Sequence, residues 1–339
     1  MKKATISDVA REANVSKSTV SRVINNASNV DEVLRNRVLA TIEKLDYQPS
    51  RAARQLKKNL QDVVGFMVPS ISDTIFGAVI QSAQDYAYKK KMGILLYSTA
   101  DDLERQKRYL DGMLTEEIAG LVVVPAPNTN PQVLRNMQDQ GIPIVLLDRK
   151  LVGIDADYIG SDNTQGAYDA IAHLIDCGYT KIATIAGSQL VSTGIERLIG
   201  YRMAMTEANL PIAPDYIQYG NFDDHESYQA LKTLIKLDNP PEAVFVSNDA
   251  MTTAVLRAVR DLGIRVPHDI AIVAFDELQL SELLTPSLTT VEQATEALGQ
   301  EALRLLFDRI KRQDRRATRI VRIPTKMNIR NSSAGSTKK

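Results

Sequence analysis

Apolar positions in the first sixty residues recur with helical spacing. Ile6, Val9, Ala10 and Ala13 follow the i, i+3, i+4, i+7 pattern of a helix with one buried face. After the break Asn14-Val15-Ser16 the spacing restarts at Val20, Val23 and Ile24. A third helix is predicted from about Asp31, a good N-cap, through Leu34, Val38, Ile42 and Leu45. Tyr47-Gln48-Pro49 ends it, and a short basic stretch, Ser50 to Lys58, follows. Three short helices are too little for the main core, so they predict a separate module with a linker. From Val63 the grammar changes. Short apolar runs at Val63–Val68, Ile94–Tyr97, Leu121–Val124, Ile144–Leu147, Ile182–Ala186, Ala243–Val246 and Ile270–Phe275 read as buried strands. Amphipathic stretches such as 76–91, 103–117, 165–176, 197–208 and 250–262 read as helices between them. This alternation predicts parallel sheets wound as right-handed βαβ units. Two such sets, divided near residue 160, predict two α/β subdomains facing a cleft, with ligands at the carboxyl ends of the strands.

Composition narrows the class. The 339 residues suffice for two or three domains of about 150 residues each, and for a core that needs no disulfides. A single cysteine, Cys177, excludes a disulfide framework and points to a reducing compartment; it is expected to be a buried helix-end residue. No apolar run approaches the ~18–20 residues of a membrane span. Met1-Lys2-Lys3 leads into Asp8, Arg11 and Glu12 without an apolar segment, so a cytoplasmic chain is expected. The net charge of zero hides an asymmetry. Residues 1–60 hold 12 Lys/Arg against 6 Asp/Glu, whereas the rest holds 29 against 35. A basic first segment on an acidic body suggests an anionic partner such as nucleic acid, although a solvated charged face has the same composition.

The run from Ile6 to Asn25 is more specific. Two short helices meet at a tight turn, with Ala10 small enough for close approach and Val15 at the corner. Ser16 caps the second helix, leaving Lys17, Ser18 and Thr19 pointing outward from its first turn. In a helix-turn-helix that end enters the major groove. Arg22, one turn on, has the geometry for a bidentate guanine contact. An amphipathic helix pair explains the apolar positions but not the Ser-x-x-Thr-Val-Ser-Arg run.

On these residues the chain resembles the lactose-repressor (LacI/GalR) family of bacterial transcription regulators. Val15-Ser16-x-x-Thr19-Val20-Ser21-Arg22-Val23-x-Asn25 matches its DNA-binding signature, and Tyr47-x-Pro49-x-x-Ala52-x-x-Leu56 is similar to its hinge-helix signature. Asp162-Asn163-x-x-Gly166-Ala167, Ser247-Asn248-Asp249, Phe275-Asp276 and Pro286-x-Leu288-Thr289-Thr290-Val291 follow in the family's order. Asp46 and Ser50 depart from the glycine and asparagine common there, but Asp tolerates left-handed backbone and Ser can cap a helix. The resemblance implies an α/β protein: a helix-turn-helix head on a periplasmic-binding-protein-like core of two doubly wound subdomains. The expected boundaries are a head at 1–48, a hinge helix and linker at 49–61, a core at 62–331 and a disordered tail at 332–339. Within the core, the N-subdomain takes about 62–161 and 293–322, and the C-subdomain about 162–292 and 323–331.

It also implies a ligand-responsive repressor that binds a pseudo-palindromic operator as a homodimer, with a sugar or sugar derivative as effector. Ser16, Lys17, Ser18, Thr19, Ser21, Arg22 and Asn25 are the expected DNA contacts in the head. Arg51, Ala53 and Leu56 are those of the hinge, where Leu56 is the expected minor-groove wedge. By motif position Arg197, Asn248 and Asp276 become effector ligands. An arginine fork, an amide and a carboxylate can together satisfy vicinal hydroxyls. Asp148, at a strand end, is added, and Ser70, Asp73 and Phe76 are expected on the near wall. Phe222 is placed over a sugar face, with a plain core role as the alternative.

Enzymatic patterns are missing. There is no Gly-x-Gly-x-x-Gly, Gly187 and Gly194 are not followed by Lys-Ser/Thr, and no Gly-x-Ser-x-Gly occurs. His173, His225 and His268 lie far apart, so neither a cofactor nor a metal is expected. Asp101-Asp102 and Asp223-Asp224 read as solvated loop acids or helix caps. Two other classes remain: a stand-alone solute-binding protein, and a purine-type regulator whose ligand strengthens DNA binding. The latter is favoured if Phe76 and Phe222 both meet the ligand.

Overall fold

The computed structural model describes residues 6–24, 30–45, 63–116, 118–312 and 317–335. These fall into two compact units, one within Met1–Gln61 and one within Asp62–Lys339.

The first unit is α1 (Ile6–Glu12), α2 (Lys17–Ile24) and α3 (Glu32–Lys44). Helix α1 stops where Asn14 turns left-handed, at φ 52°. The bonds Val15 N–H to Ala10 C=O (2.9 Å) and Asn14 N–H to Arg11 C=O (3.2 Å) close that end as a Schellman motif. Ser16 Oγ accepts from Thr19 N–H at 3.1 Å and starts α2. Asp31 Oδ1 accepts from Val33 and Leu34 N–H and starts α3. Val9, Ala10, Ala13, Val20, Val23 and Val38 form a small core of their own.

The second unit holds two six-stranded sheets. The first contains β1 (Val63–Val68), β2 (Gly93–Ser98), β3 (Leu121–Val123), β4 (Ile144–Leu147), β5 (Asp157–Ser161) and β11 (Ile320–Ile323), in the order β11-β5-β4-β3-β1-β2. All its pairings are parallel. The second contains β6 (Ile182–Ala186), β7 (Ile217–Tyr219), β8 (Ala243–Val246), β9 (Ala271–Phe275), β10 (Thr289–Glu292) and β12 (Lys326–Asn328), in the order β12-β10-β9-β8-β6-β7. Only its edge strand β12 is antiparallel. Each sheet is therefore doubly wound, with a switch point beside its first strand. The inner strands are buried on both faces, so alternate residues enter different cores. Val64, Phe66 and Val68 face α4 (Thr74–Lys89) and α11 (Thr295–Arg312), while Met67 packs with Leu121 and Val123.

Helices α5 (Leu103–Thr115), α6 (Pro131–Asp139), α9 (Asp224–Leu234) and α10 (Asp249–Asp261) complete the layers with α7 (Asn163–Asp176) and α8 (Ser192–Glu207). Where α7 and α8 cross, a Cβ on Gly200 would lie 2.3 Å from Thr164 C=O and 2.8 Å from the Ala167 Cβ. We expect Gly200→Val to force these helices apart at a cost of roughly 1–3 kcal/mol. A core thermal midpoint equal to that of the unsubstituted chain would refute the contact.

Several elements differ from expectation. Strand β5 opens on Asp157, a buried carboxylate that hides the strand from a search for apolar runs. Arg309 Nη2 (2.7 Å), Arg319 Nη2 (2.7 Å) and Arg319 N–H (2.8 Å) all donate to it. Burial pushes its carboxyl up, but these donors outweigh that and hold it below the usual range. Helix α8 begins at Ser192, five residues before the position expected from periodicity. Helices α6 and α9 lie outside the amphipathic stretches singled out in the sequence, and Asn130 and Asp223 cap them. The disordered tail expected from 332 is corrected for its first residues, since Ser332 and Ser333 are buried. Ser332 Oγ donates to Ile272 C=O at 2.7 Å, and Ser333 Oγ meets Thr289 Oγ1 at 2.6 Å and His173 Nε2 at 2.8 Å. Hydroxyls here act as core partners, which composition does not reveal. Cys177, expected to be buried, is a half-buried C-cap residue of α7.

Candidate functional site

The carboxyl ends of strands from both sheets open on one cavity of about 260 Å³. From the first sheet's side come Ser70 and Asp73 after β1, Phe76 in the first turn of α4, and Asp148 after β4. From the second come Phe222 after β7, Asn248 after β8, Asp276 after β9 and Arg197 on α8. All eight residues expected around a ligand thus line the same cavity.

The backbone here is unusual. Ala100, Asp101, Asp148, Phe222 and Asp276 all have left-handed φ, between 52° and 77°. Non-glycine residues adopt this region at a cost and tend to gather where a site over-determines them. Phe222 also depends on a glycine, because a Cβ on Gly187 would lie 2.2 Å from its Cζ.

Arg197 is almost fully buried and held from several sides. Its Nε donates to Asn163 Oδ1 at 2.9 Å and its Nη1 to Ser247 C=O at 2.5 Å. Its guanidinium lies 3.7 Å above the centre of the Phe275 ring. Asp276 Oδ2 stands 3.8 Å from Nη1, and Asp276 Oδ1 accepts from Gln293 Nε2. Burial pushes the Asp276 carboxyl up to about 6, against the pull of Arg197, and raises Asp148 and Asp73 in the same way. Asn248 caps α10, its Oδ1 accepting from Met251 N–H at 2.9 Å, which leaves its amide N–H₂ for the cavity.

Sequence reasoning missed Asp101, Arg149, Thr193, Asp249 and Gln293, which share the wall. Asp101 is not the solvated loop acid expected. It takes the Arg149 fork in two bonds of 2.6 and 3.0 Å. Asp102 and Asp223 are helix caps. Beside the cavity the lobes are tied by Lys150 N–H to Ser192 Oγ (2.8 Å) and by Lys150 Nζ to Glu196 Oε1 (2.5 Å).

In the first unit, Ser16, Lys17, Ser18 and Arg22 are exposed and Thr19 is half-exposed, so the start of α2 presents a hydroxyl-rich, basic surface. Ser16 Oγ also meets Ser18 Oγ (2.7 Å) and Thr19 Oγ1 (2.8 Å). Ser21 lies on α2. Asn25, Arg51, Ala53 and Leu56 lie outside the described residues. Among the described residues no helix is long and apolar enough to cross a membrane, and no group of His, Cys, Asp and Glu could hold a metal ion.

Residues 5–50 match the model of the lacI family of bacterial regulatory proteins, and residues 171–333 match a periplasmic binding protein-like domain. The HTH-type transcriptional repressor PurR of Aliivibrio salmonicida is 34% identical over 309 residues, covering 91% of this chain and 92% of its own. PurR of Vibrio cholerae serotype O1 (strain M66-2) is 35% identical over 310 residues, with the same coverage. Among solved structures, the transcriptional regulator CelR in its cellobiose complex is 28% identical with a TM-score of 0.74, covering 97% of this chain and 99% of its own. The lac repressor dimer bound to operator and the anti-inducer ONPF is 25% identical with a TM-score of 0.80, covering 98% of this chain and 99% of its own.

Proposed function

The chain belongs to the lacI family of bacterial regulatory proteins, and from that premise we propose that its core cavity binds a sugar-like effector that controls operator binding. The chain is a ligand-responsive, DNA-binding transcriptional repressor and not an enzyme. The observation that carries the effector class is the donor and acceptor set around the cavity. Arg197, the Asn248 amide, and the Asp148 and Asp276 carboxylates line the cavity together. Carboxylates accept from hydroxyls while Arg197 Nη2 and the amide donate to them, which suits vicinal diols. Phe76 and Phe222 add apolar surface for a ring face. The similar regulator CelR is seen with cellobiose, which supports the same reading. A planar purine-type co-repressor is favoured by the presence of both phenylalanines on the wall and by the likeness to the PurR repressors.

A thermal-shift panel of free sugars and nucleobases on the full chain tests the assignment. Ligand at 100 times its Kd adds about 2.7 kcal/mol of stability. A midpoint moved by sugars alone supports the sugar reading, and one moved by nucleobases alone replaces it.

At the head, α2 is the recognition helix, with Ser16, Lys17, Ser18, Thr19, Ser21, Arg22 and Asn25 as its DNA contacts. The exposed basic start of α2 supports this. Arg22→Ala is expected to relax base preference at one position of each half-site, by about 1–3 kcal/mol. Unaltered preference in a binding-site selection would reject that placement. Arg51, Ala53 and Leu56 keep their proposed hinge roles, and two heads on two half-sites make the working form a dimer.

A further inference from the structure

Both arginines of the cavity are committed to the protein itself. Arg149 spends Nη1 and Nη2 on the two oxygens of Asp101, and Nη1 also reaches Pro125 C=O at 3.2 Å. Its Nε is buried and makes no hydrogen bond among the described residues. Arg197 spends Nε on Asn163 and Nη1 on Ser247, with its face on Phe275 and Asp276 at 3.8 Å.

The acids are not balanced in the same way. Asp73, Asp148 and Asp249 line the same cavity, and none forms a salt bridge among the described residues. The Asp249 carboxylate accepts from the neighbouring Ala250 N–H (2.8 Å). With Asp101 and Asp276 the wall holds five carboxylates against two guanidinium groups. Burial raises Asp73, Asp148 and Asp276, outweighing the pull of Arg149 or Arg197 on each.

We propose that the cavity accepts its effector only without an anionic group, and rejects the phosphate ester of the same molecule. This rests on the sugar reading for the identity of the ligand but not for its charge. A phosphate monoester brings a charge of about −1.5 to −2 at pH 7. In a small site that charge meets three carboxylates without a salt bridge among the described residues, while the Arg197 guanidinium is already balanced by Asp276, 3.8 Å from its Nη1, and that of Arg149 by Asp101. The like-charge repulsion is strongest where water is scarce. Such a receptor reads a sugar in its free form, and phosphoryl transfer to any of its hydroxyls erases the signal.

Isothermal titration of the full chain with matched pairs tests this: ribose with ribose 5-phosphate, glucose with glucose 6-phosphate, adenosine with adenosine monophosphate. Inorganic phosphate is titrated alone. In any pair that binds, the phosphorylated member is expected to bind at least a hundredfold more weakly. Inorganic phosphate is expected to give no saturable binding that Arg197→Ala removes. A phosphorylated member that binds as well as its partner, or phosphate binding that Arg197→Ala abolishes, overturns the proposal. If adenosine binds and no sugar does, the sugar reading fails while its monophosphate still judges the charge rule. If no pair binds, the phosphate titration alone decides.

Discussion

Arg197→Ala is expected to leave operator affinity without ligand nearly unchanged, while effector affinity falls from tenfold to more than a hundredfold. The side chain joins Asn163, Ser247, Phe275 and Asp276 at one point of the second lobe, so its loss removes a donor and loosens the opposing acid. Each charged hydrogen bond to a ligand contributes roughly 1.5–3 kcal/mol, which sets that range. The head carries its own apolar core, so its folding does not depend on this residue. Arg197→Lys keeps the charge but not the planar fork, and should recover only part of the affinity. Titration calorimetry with the ligand found in the panel, alongside operator anisotropy with and without that ligand, separates the two effects. Unchanged effector affinity in Arg197→Ala would remove it from the site.

The coupling this disables is a population shift. A ligand can move the repressor only as far as it prefers one arrangement of the lobes over another. The Lys150 ties to Ser192 and Glu196 join the lobes immediately beside Arg197, so the proposed ligand residue and those that join the lobes lie on one helix, α8.

Much of this candidate site is legible in the sequence, because doubly wound sheets put ligands where strands end. Asp148, Asn248 and Asp276 each follow an apolar run by a residue or two, and motif order brought Arg197 to them. What stayed hidden was pairing across long sequence separations. Asp101 and Arg149 are 48 residues apart and on different loops, so spacing offers no sign that one clamps the other. Asp157 hid strand β5 for the same reason: its partners Arg309 and Arg319 arrive about 150 residues later. The buried Ser332 and Ser333 looked like tail because hydroxyl-rich, glycine-containing ends usually are. Their partners Ile272, Thr289 and His173 come from three separate elements.

Asp276→Asn is expected to stabilise the ligand-free core above pH 6 while removing effector binding. The residue is almost fully buried at left-handed φ 77°, and burial holds its carboxyl up at about 6. Arg197 and Gln293 pull that value down, while Asp249 and Asp148 push it up. In the unfolded chain the group titrates near its ordinary value of 3.8. Between these two values the folded state binds the proton more tightly. The group's favourable contribution is therefore complete below about pH 4 and lost as pH rises through 6. At pH 7.5 the ionised, buried form costs on the order of 3 kcal/mol relative to acid conditions. Asparagine keeps an acceptor for Gln293 Nε2 but cannot ionise, so the variant escapes that penalty. Its thermal midpoint should exceed that of the unsubstituted chain by roughly 5 °C at pH 7.5, and the gap should close towards pH 4.5. Scanning calorimetry of both proteins at pH 4.5, 6 and 7.5 without ligand measures it. A difference that stays flat with pH would mean that Asp276 is not a strained acid. A gap that opens with pH, alongside lost binding, would mean that the cavity holds an unfavourable charge because the effector needs it there.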